Sequence, residues 1–183
     1  MNDATAEPLR EPPVAGNEVD TLLGSLERQR RTFAWKTGGL DAAGLNTKIA
    51  KSTMSLGGLL KHLALVEDDW FSYKLWGHER ATPWNRADWD SDPDWEWHSA
   101  AQDSPEHLYR LWDEAVARSR ALVAQALDDG LDRPAQFVWS DGRSPSLRRM
   151  LADMIEEYAR HVGHADLLRE AVDGVVGEDP PQP

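Results

Sequence analysis

The sequence predicts an all-α protein: a four-helix bundle with a long tryptophan-rich loop between its second and third helices. Three observations carry that expectation. Four segments of about 20 residues place apolar side chains on one stripe, three and four residues apart. None alternates apolar and polar residues with the period of two that a half-buried strand needs. Each stripe is one-sided, and four one-sided helices bury their stripes best against one another.

The first segment runs from Glu18 to Lys36, with Val19, Leu22, Leu23, Leu26, Arg30 and Phe33 on its stripe; Gly38 and Gly39 end it. Ser55 is a good N-cap for the second. Leu56, Leu59, Leu60, Leu63, Val66, Trp70 and Tyr73 follow, and Gly77 closes it. Ser104, Pro105 and Glu106 open the third with an N-cap, a proline at N1 and an acidic first turn. Its stripe extends from Leu108 through Trp112 and Val116 to Ala126, and Gly130 ends it. Ser146 opens the fourth, whose stripe includes Leu147, Met150, Leu151, Met154, Tyr158, Val162 and Leu168 before Gly174. The expected organisation is a flexible tail over 1–16, one bundle domain over 17–174 and a second flexible tail over 175–183. Both tails are rich in proline and poor in apolar residues.

Composition narrows the function. The chain of 183 residues is long enough for one sizeable core. A formal net charge of −12 repels a phosphate backbone and an anionic lipid surface, so neither nucleic acid nor membrane is an expected partner. The absence of cysteine excludes disulfides, thiolate nucleophiles and cysteine-ligated metals. No apolar run approaches the length of a membrane span. The first residues have neither a basic segment nor an apolar stretch, so a cytoplasmic protein is expected.

Among the six histidines, position separates candidates from surface residues. His62 lies about 40° around the second helix from Val66 and about 60° from Leu59, which puts it on the inward stripe. His161 lies on the stripe of the fourth helix. Glu157, one turn earlier, is only about 40° from it. An inward carboxylate is costly unless it is paired or coordinates a metal. His62, Glu157 and His161 are therefore candidate ligands of a divalent transition metal, which neutral imidazoles and a carboxylate suit. Two histidines and a glutamate leave a coordination position open, as in catalytic sites. That position suits an activated water or the sulfur of a thiol. Competing arrangements remain open at this point. Glu157 can instead pair with Arg149 or Arg160, and His164 competes as third ligand. His78 and His98 read as solvated loop residues, and His107 as surface.

The link over 78–103 interleaves Trp84, Trp89, Trp95 and Trp97 with Asp88, Asp90, Asp92, Asp94 and Glu96. It reads either as a loop pinned by its aromatics with its acidic residues facing water, or as a lid over the open metal position. Trp70, Trp76 and Trp112, on the helix stripes, read as core packing.

Two runs resemble a known family. Ser55-Leu56-Gly57-Gly58-Leu59-Leu60-Lys61-His62-Leu63-Ala64-Leu65-Val66-Glu67 resembles the second helix of the DinB-like superfamily of metal-binding four-helix bundles. Glu156-Glu157-Tyr158-Ala159-Arg160-His161-Val162-Gly163-His164-Ala165-Asp166-Leu167-Leu168-Arg169-Glu170 resembles its last helix. The resemblance covers roughly residues 18–174. It implies a divalent metal, zinc or nickel above all, held by one residue of the second helix and two of the last, four apart. His62 and His161 match histidines of that pattern. Glu157 stands where the pattern has a third histidine, a variation shared with the mycothiol-dependent maleylpyruvate isomerases of the same superfamily.

The resemblance implies a thiol S-transferase or isomerase that uses a mycothiol-type cosubstrate on a small electrophile. His164 is the candidate general base. Trp84, Trp89 and Trp95 are candidates to shape the substrate pocket. Arg80, Arg86, Arg143, Arg148 and Arg149 are available for an anionic cosubstrate. Homodimerisation by helix packing is common in the superfamily and is expected with it. Two other functions fit the same metal triad: a metal-dependent hydrolase, and a non-catalytic metal-binding or interaction module.

Overall fold

A computed structural model of the chain describes residues 11–180. The outer parts of both expected tails, 1–10 and 181–183, lie outside the described residues. Among these residues the fold is all-helical. Four long elements form the bundle: α1 (Glu18–Thr37), α3 (Leu56–Glu67) continued by a π-helical stretch (Asp68–Lys74), α5 (Pro105–Ala126) and α6 (Leu147–Asp173). Two short helices lie in the connections, α2 (Ala42–Leu45) and α4 (Trp95–Ser99). Among the described residues no strand forms, and Pro134 and Ser146 make an isolated bridge.

The helix boundaries follow local chemistry. Ser55 Oγ accepts a hydrogen bond from the Gly58 N–H, Ser104 Oγ from His107 and Ser146 Oγ from Arg149. Each satisfies one of the donors a helix start leaves free. Asn17 does the same for α1 by accepting from the Asp20 N–H. Gly174 closes α6 with φ at 75°, in the left-handed region where a side chain would be strained.

One element departs from expectation. The second helix does reach beyond Tyr73, but from Asp68 to Lys74 it widens into a π-helix. Its free end is met by the link between α5 and α6. Phe137 N–H donates to Lys74 O at 3.0 Å and Gln136 N–H to Leu75 O at 3.1 Å. Orphan carbonyls of the helix terminus are thereby satisfied by non-local backbone.

In the bundle α1 packs mainly along α6, and α3 along α5. Phe33, Leu59, Leu60, Leu63, Phe71, Met150, Met154 and Tyr158 are fully buried between them. Trp112 belongs to this core, while Trp70 and Trp76 are partly buried against it. A polar cluster crosses the same core. Arg30, on the apolar stripe of α1, gives Glu67 two parallel hydrogen bonds of 2.8 and 2.7 Å. Tyr158 Oη donates to Glu67 at 2.7 Å and accepts from Trp112 Nε1 at 2.9 Å. Arg30 also donates to Glu27 at 2.6 Å, and Arg120 grips both oxygens of Glu27. All four long helices are thus joined by one buried network, and Tyr158 is held next to Glu157 in sequence.

The described ends of the expected tails lie against the bundle. Glu11 meets Arg31 at 3.0 Å and Arg28 at 3.7 Å. Pro12 lies so close to Gly24 that a Cβ there would come within 2.5 Å of it. At the other end Gly177 approaches the Trp35 ring. No helix among the described residues is long and apolar enough to cross a membrane.

Candidate metal centre

The middle of α3 and the second half of α6 bring together the three residues singled out in the sequence. One ligand atom each of His62, Glu157 and His161 lies within 4.8 Å of the other two. Glu157 Oε1 stands 3.1 Å from His62 Nε2 and 3.1 Å from His161 Nε2. The i, i+4 spacing stacks Glu157 and His161 on one face of α6, and the α3–α6 contact sets His62 opposite.

The donor set fits a divalent metal. Zinc with bonds of about 2.0–2.1 Å and tetrahedral geometry sets neighbouring ligand atoms about 3.3 Å apart, close to the spacings around Glu157 Oε1. Two imidazoles and a carboxylate leave room for a further ligand. His161 is buried, while the Glu157 side chain is 31% exposed. On its exposed side Glu157 borders a depression of about 190 Å³, lined also by Trp70, Asp153, Glu156 and Arg160.

The electrostatics are those of a tightly paired site. Hydrogen bonds to His161 and His62 hold the Glu157 carboxyl far below the usual carboxylate range, despite burial. For His62, burial alone would depress the pKa. Its bonds to Glu157 and Glu96 outweigh that and raise it.

His164 lies at the edge of the cluster. Its Nδ1 is 3.3 Å from His161 Nδ1, and it is not among the three convergent residues. If His161 offers the Nε2 lone pair, its Nδ1 carries the proton and donates to His164. The rival partners of Glu157 are otherwise placed. Arg149 donates to Asp153 at 2.6 Å, and Arg160 is exposed at the mouth. His78 and His98 are exposed, and His98 pairs with Asp92.

The tryptophan-rich link combines its two readings. Asp88, Asp90 and Asp94 face water, and Trp84 is buried in the core. Trp89 and Trp95 pack partly buried against the core, with Lys61 Nζ 4.3 Å above the Trp95 ring. The two residues of the link that reach the centre are neighbours on α4. Trp97 stacks on the His62 ring, with centroids 4.6 Å apart and planes 24° apart. Glu96 is 5% exposed, and its Oε1 lies 3.0 Å from His62 Nδ1. Glu96 was read in the sequence with the water-facing acids. Nothing local distinguishes it from them, because the direction of its side chain is set by how α4 docks on α3. One signal was present: Gly57 and Gly58 inside a helix mark a close approach. A Cβ on Gly58 would come within 2.9 Å of the Trp97 ring.

Of the arginines available for an anionic cosubstrate, Arg80 pairs with Asp69, Arg143 with Asp141, Arg148 with Glu18 and Asp132, and Arg149 with Asp153. Arg160, beside Glu157, is the cation at the mouth.

No curated protein matches the chain. A family model described as mycothiol-S-transferase matches residues 21–174, which takes in α1 from Thr21, the other three long helices and the whole centre. That match takes in most of the chain, and the chain belongs to this DinB-like family.

Proposed function

We propose that the protein is a metal-dependent S-transferase that joins the sulfur of a mycothiol-type thiol to a small electrophile. The observation that carries this reading is the convergence of His62 Nε2, Glu157 Oε1 and His161 Nε2 on one point beside an opening to water. Bound there, a divalent metal, zinc or nickel, supplies a Lewis acid that lets a thiol ionise near neutral pH. His62 and His161 contribute neutral donors and Glu157 one negative charge. Trp97 covers the α4 side of the His62 ring. Arg160 offers a cation to an anionic cosubstrate at the mouth. His164, the candidate base, has its Nδ1 lone pair turned to His161, so it is proposed to orient His161 while the thiol proton leaves to water at the mouth. A homodimer in the cytoplasm is proposed with the family, and sedimentation equilibrium reads the association directly.

The test is metal content by mass spectrometry, followed by thiol consumption with a chlorinated nitroaromatic as electrophile. Wild type is expected to carry near one equivalent of zinc or nickel and to consume thiol. His62→Ala, Glu157→Gln and His161→Ala, each checked for folding by circular dichroism, are expected to lose both. Wild type without metal after incubation with either ion overturns the reading. Metal uptake with electrophile hydrolysis but no thiol dependence makes the protein a hydrolase instead. Metal uptake with no turnover makes it a binding module.

A further inference from the structure

Glu96 presents a problem that the metal triad alone does not solve. It is a carboxylate on a five-residue helix, at 5% exposure, and Oε2 has no hydrogen-bond partner among the described residues. Burying a carboxylate is costly unless a strong partner offsets it. The hydrogen bond it makes runs to His62 Nδ1 at 3.0 Å. Its placement is also held from several sides. Trp97 lies flat on the same imidazole, and Gly58 leaves the space for that ring. Lys61 reaches Asp103 at the far end of the α4 segment and covers Trp95.

A neutral imidazole has one N–H and one lone pair. Both nitrogens face a carboxylate oxygen, Nδ1 that of Glu96 at 3.0 Å and Nε2 that of Glu157 at 3.1 Å. With Glu157 engaged by a cation, Glu96 is the acceptor that holds the proton on Nδ1 and leaves Nε2 bare. Without that acceptor the proton is free to sit on Nε2, where it blocks coordination. The carboxylate also makes the ring a stronger donor and fixes its plane. His161 is served differently, since its Nδ1 meets the neutral ring of His164 rather than an anion.

We infer that Glu96 is a positioning residue: it selects the Nδ1–H tautomer of His62 and aims the bare Nε2 into the metal site. It touches neither metal nor substrate and acts through His62. The inference rests on the metal reading above for its purpose, but the tautomer it assigns can be read without any metal once the competing carboxylate of Glu157 is removed.

Two measurements on the full chain test it. The first is the affinity for zinc, from competition with a chromophoric chelator. The second is the imidazole nitrogen spectrum of metal-free protein carrying Glu157→Ala, in which Glu96 is the carboxylate left facing His62, at pH about 9, well above the ordinary histidine value. The variants are Glu96→Ala, Glu96→Gln and Lys61→Met, the last loosening α4 while leaving Glu96 in place. With Glu157→Ala alone, His62 is expected to be protonated at Nδ1. Glu96→Ala is expected to shift that proton toward Nε2 and to weaken zinc binding about 10–100-fold. Glu96→Gln, whose amide oxygen still accepts from Nδ1, should fall between. Lys61→Met should keep the Nδ1–H tautomer in the same background and an affinity within about twofold. An Nε2–H tautomer in the Glu157→Ala background overturns the inference. So does unchanged zinc affinity in Glu96→Ala, or an equal loss in Lys61→Met, which would reduce Glu96 to an anchor of α4. A wild type that takes up no zinc sinks the metal-dependent function, while the nitrogen spectrum still decides what Glu96 does.

Discussion

Replacing Arg30 with methionine should remove more stability than any loss of apolar contact at that position would suggest. In the native protein both oxygens of Glu67 are bonded by Arg30, and Glu67 is fully buried. The substitution leaves Oε1 with Tyr158 and leaves Oε2 with nothing. Glu27, the other carboxylate Arg30 touches, keeps both bonds from Arg120, so one orphaned anion sets the cost. Breaking a buried ion pair by removing one partner costs about 3–5 kcal/mol. Total stabilities of domains run to about 5–15 kcal/mol. For a chain of this size the loss corresponds to a fall in Tm of roughly 10 °C. Urea unfolding followed by far-ultraviolet circular dichroism gives the free energy, and a scan gives Tm. The double variant Arg30→Met with Glu67→Leu removes the orphan as well and should recover most of the loss, since apolar replacement of a whole buried pair is often close to neutral. A single variant within about 1 kcal/mol of wild type would refute the reasoning. A double variant no more stable than the single would equally refute it, because the penalty would then not reside in the unpaired carboxylate.

Three further outcomes follow from other parts of the molecule. Burial pushes the Asp68 carboxyl up, against opposing pulls from Arg118 and Arg80, so the folded state holds its proton more tightly than the unfolded chain does. Stability therefore falls as pH rises from the ordinary value of 3.8 through the raised one, and Asp68→Asn should raise Tm at pH 7 with no gain at pH below 3.8. Gly58→Ala adds helix propensity worth about 1 kcal/mol, yet its Cβ meets the Trp97 ring at 2.9 Å. A lower Tm together with shifted tryptophan emission is expected, and simple stabilisation would show that the contact relaxes freely. Zinc at about 100 times its Kd should stabilise wild type by about 2.7 kcal/mol, read as a rise in Tm. Glu157→Gln should lose most of that rise, and a full rise would exclude Glu157 as a ligand.

The sequence by itself determined the four long helices, their serine caps and glycine ends, and the inward positions of His62, Glu157 and His161. These are local properties: a helix has 3.6 residues per turn, so spacing alone tells which side chains share a face. The tertiary structure decided the rest. It bonded Glu157 to the two histidines rather than to Arg149, and it set His164 behind His161 instead of in the triad. It widened α3 into a π-helix after Glu67. It turned Arg30, an apparent flaw in an apolar stripe, into the partner of a glutamate from another helix, 37 residues away. It also buried Glu96 while leaving its acidic neighbours in water, and that choice decides how the His62 imidazole is held. A link has no fixed period, so the direction of its side chains depends on the surface it docks against. That surface exists only once α3, α5 and α6 have packed.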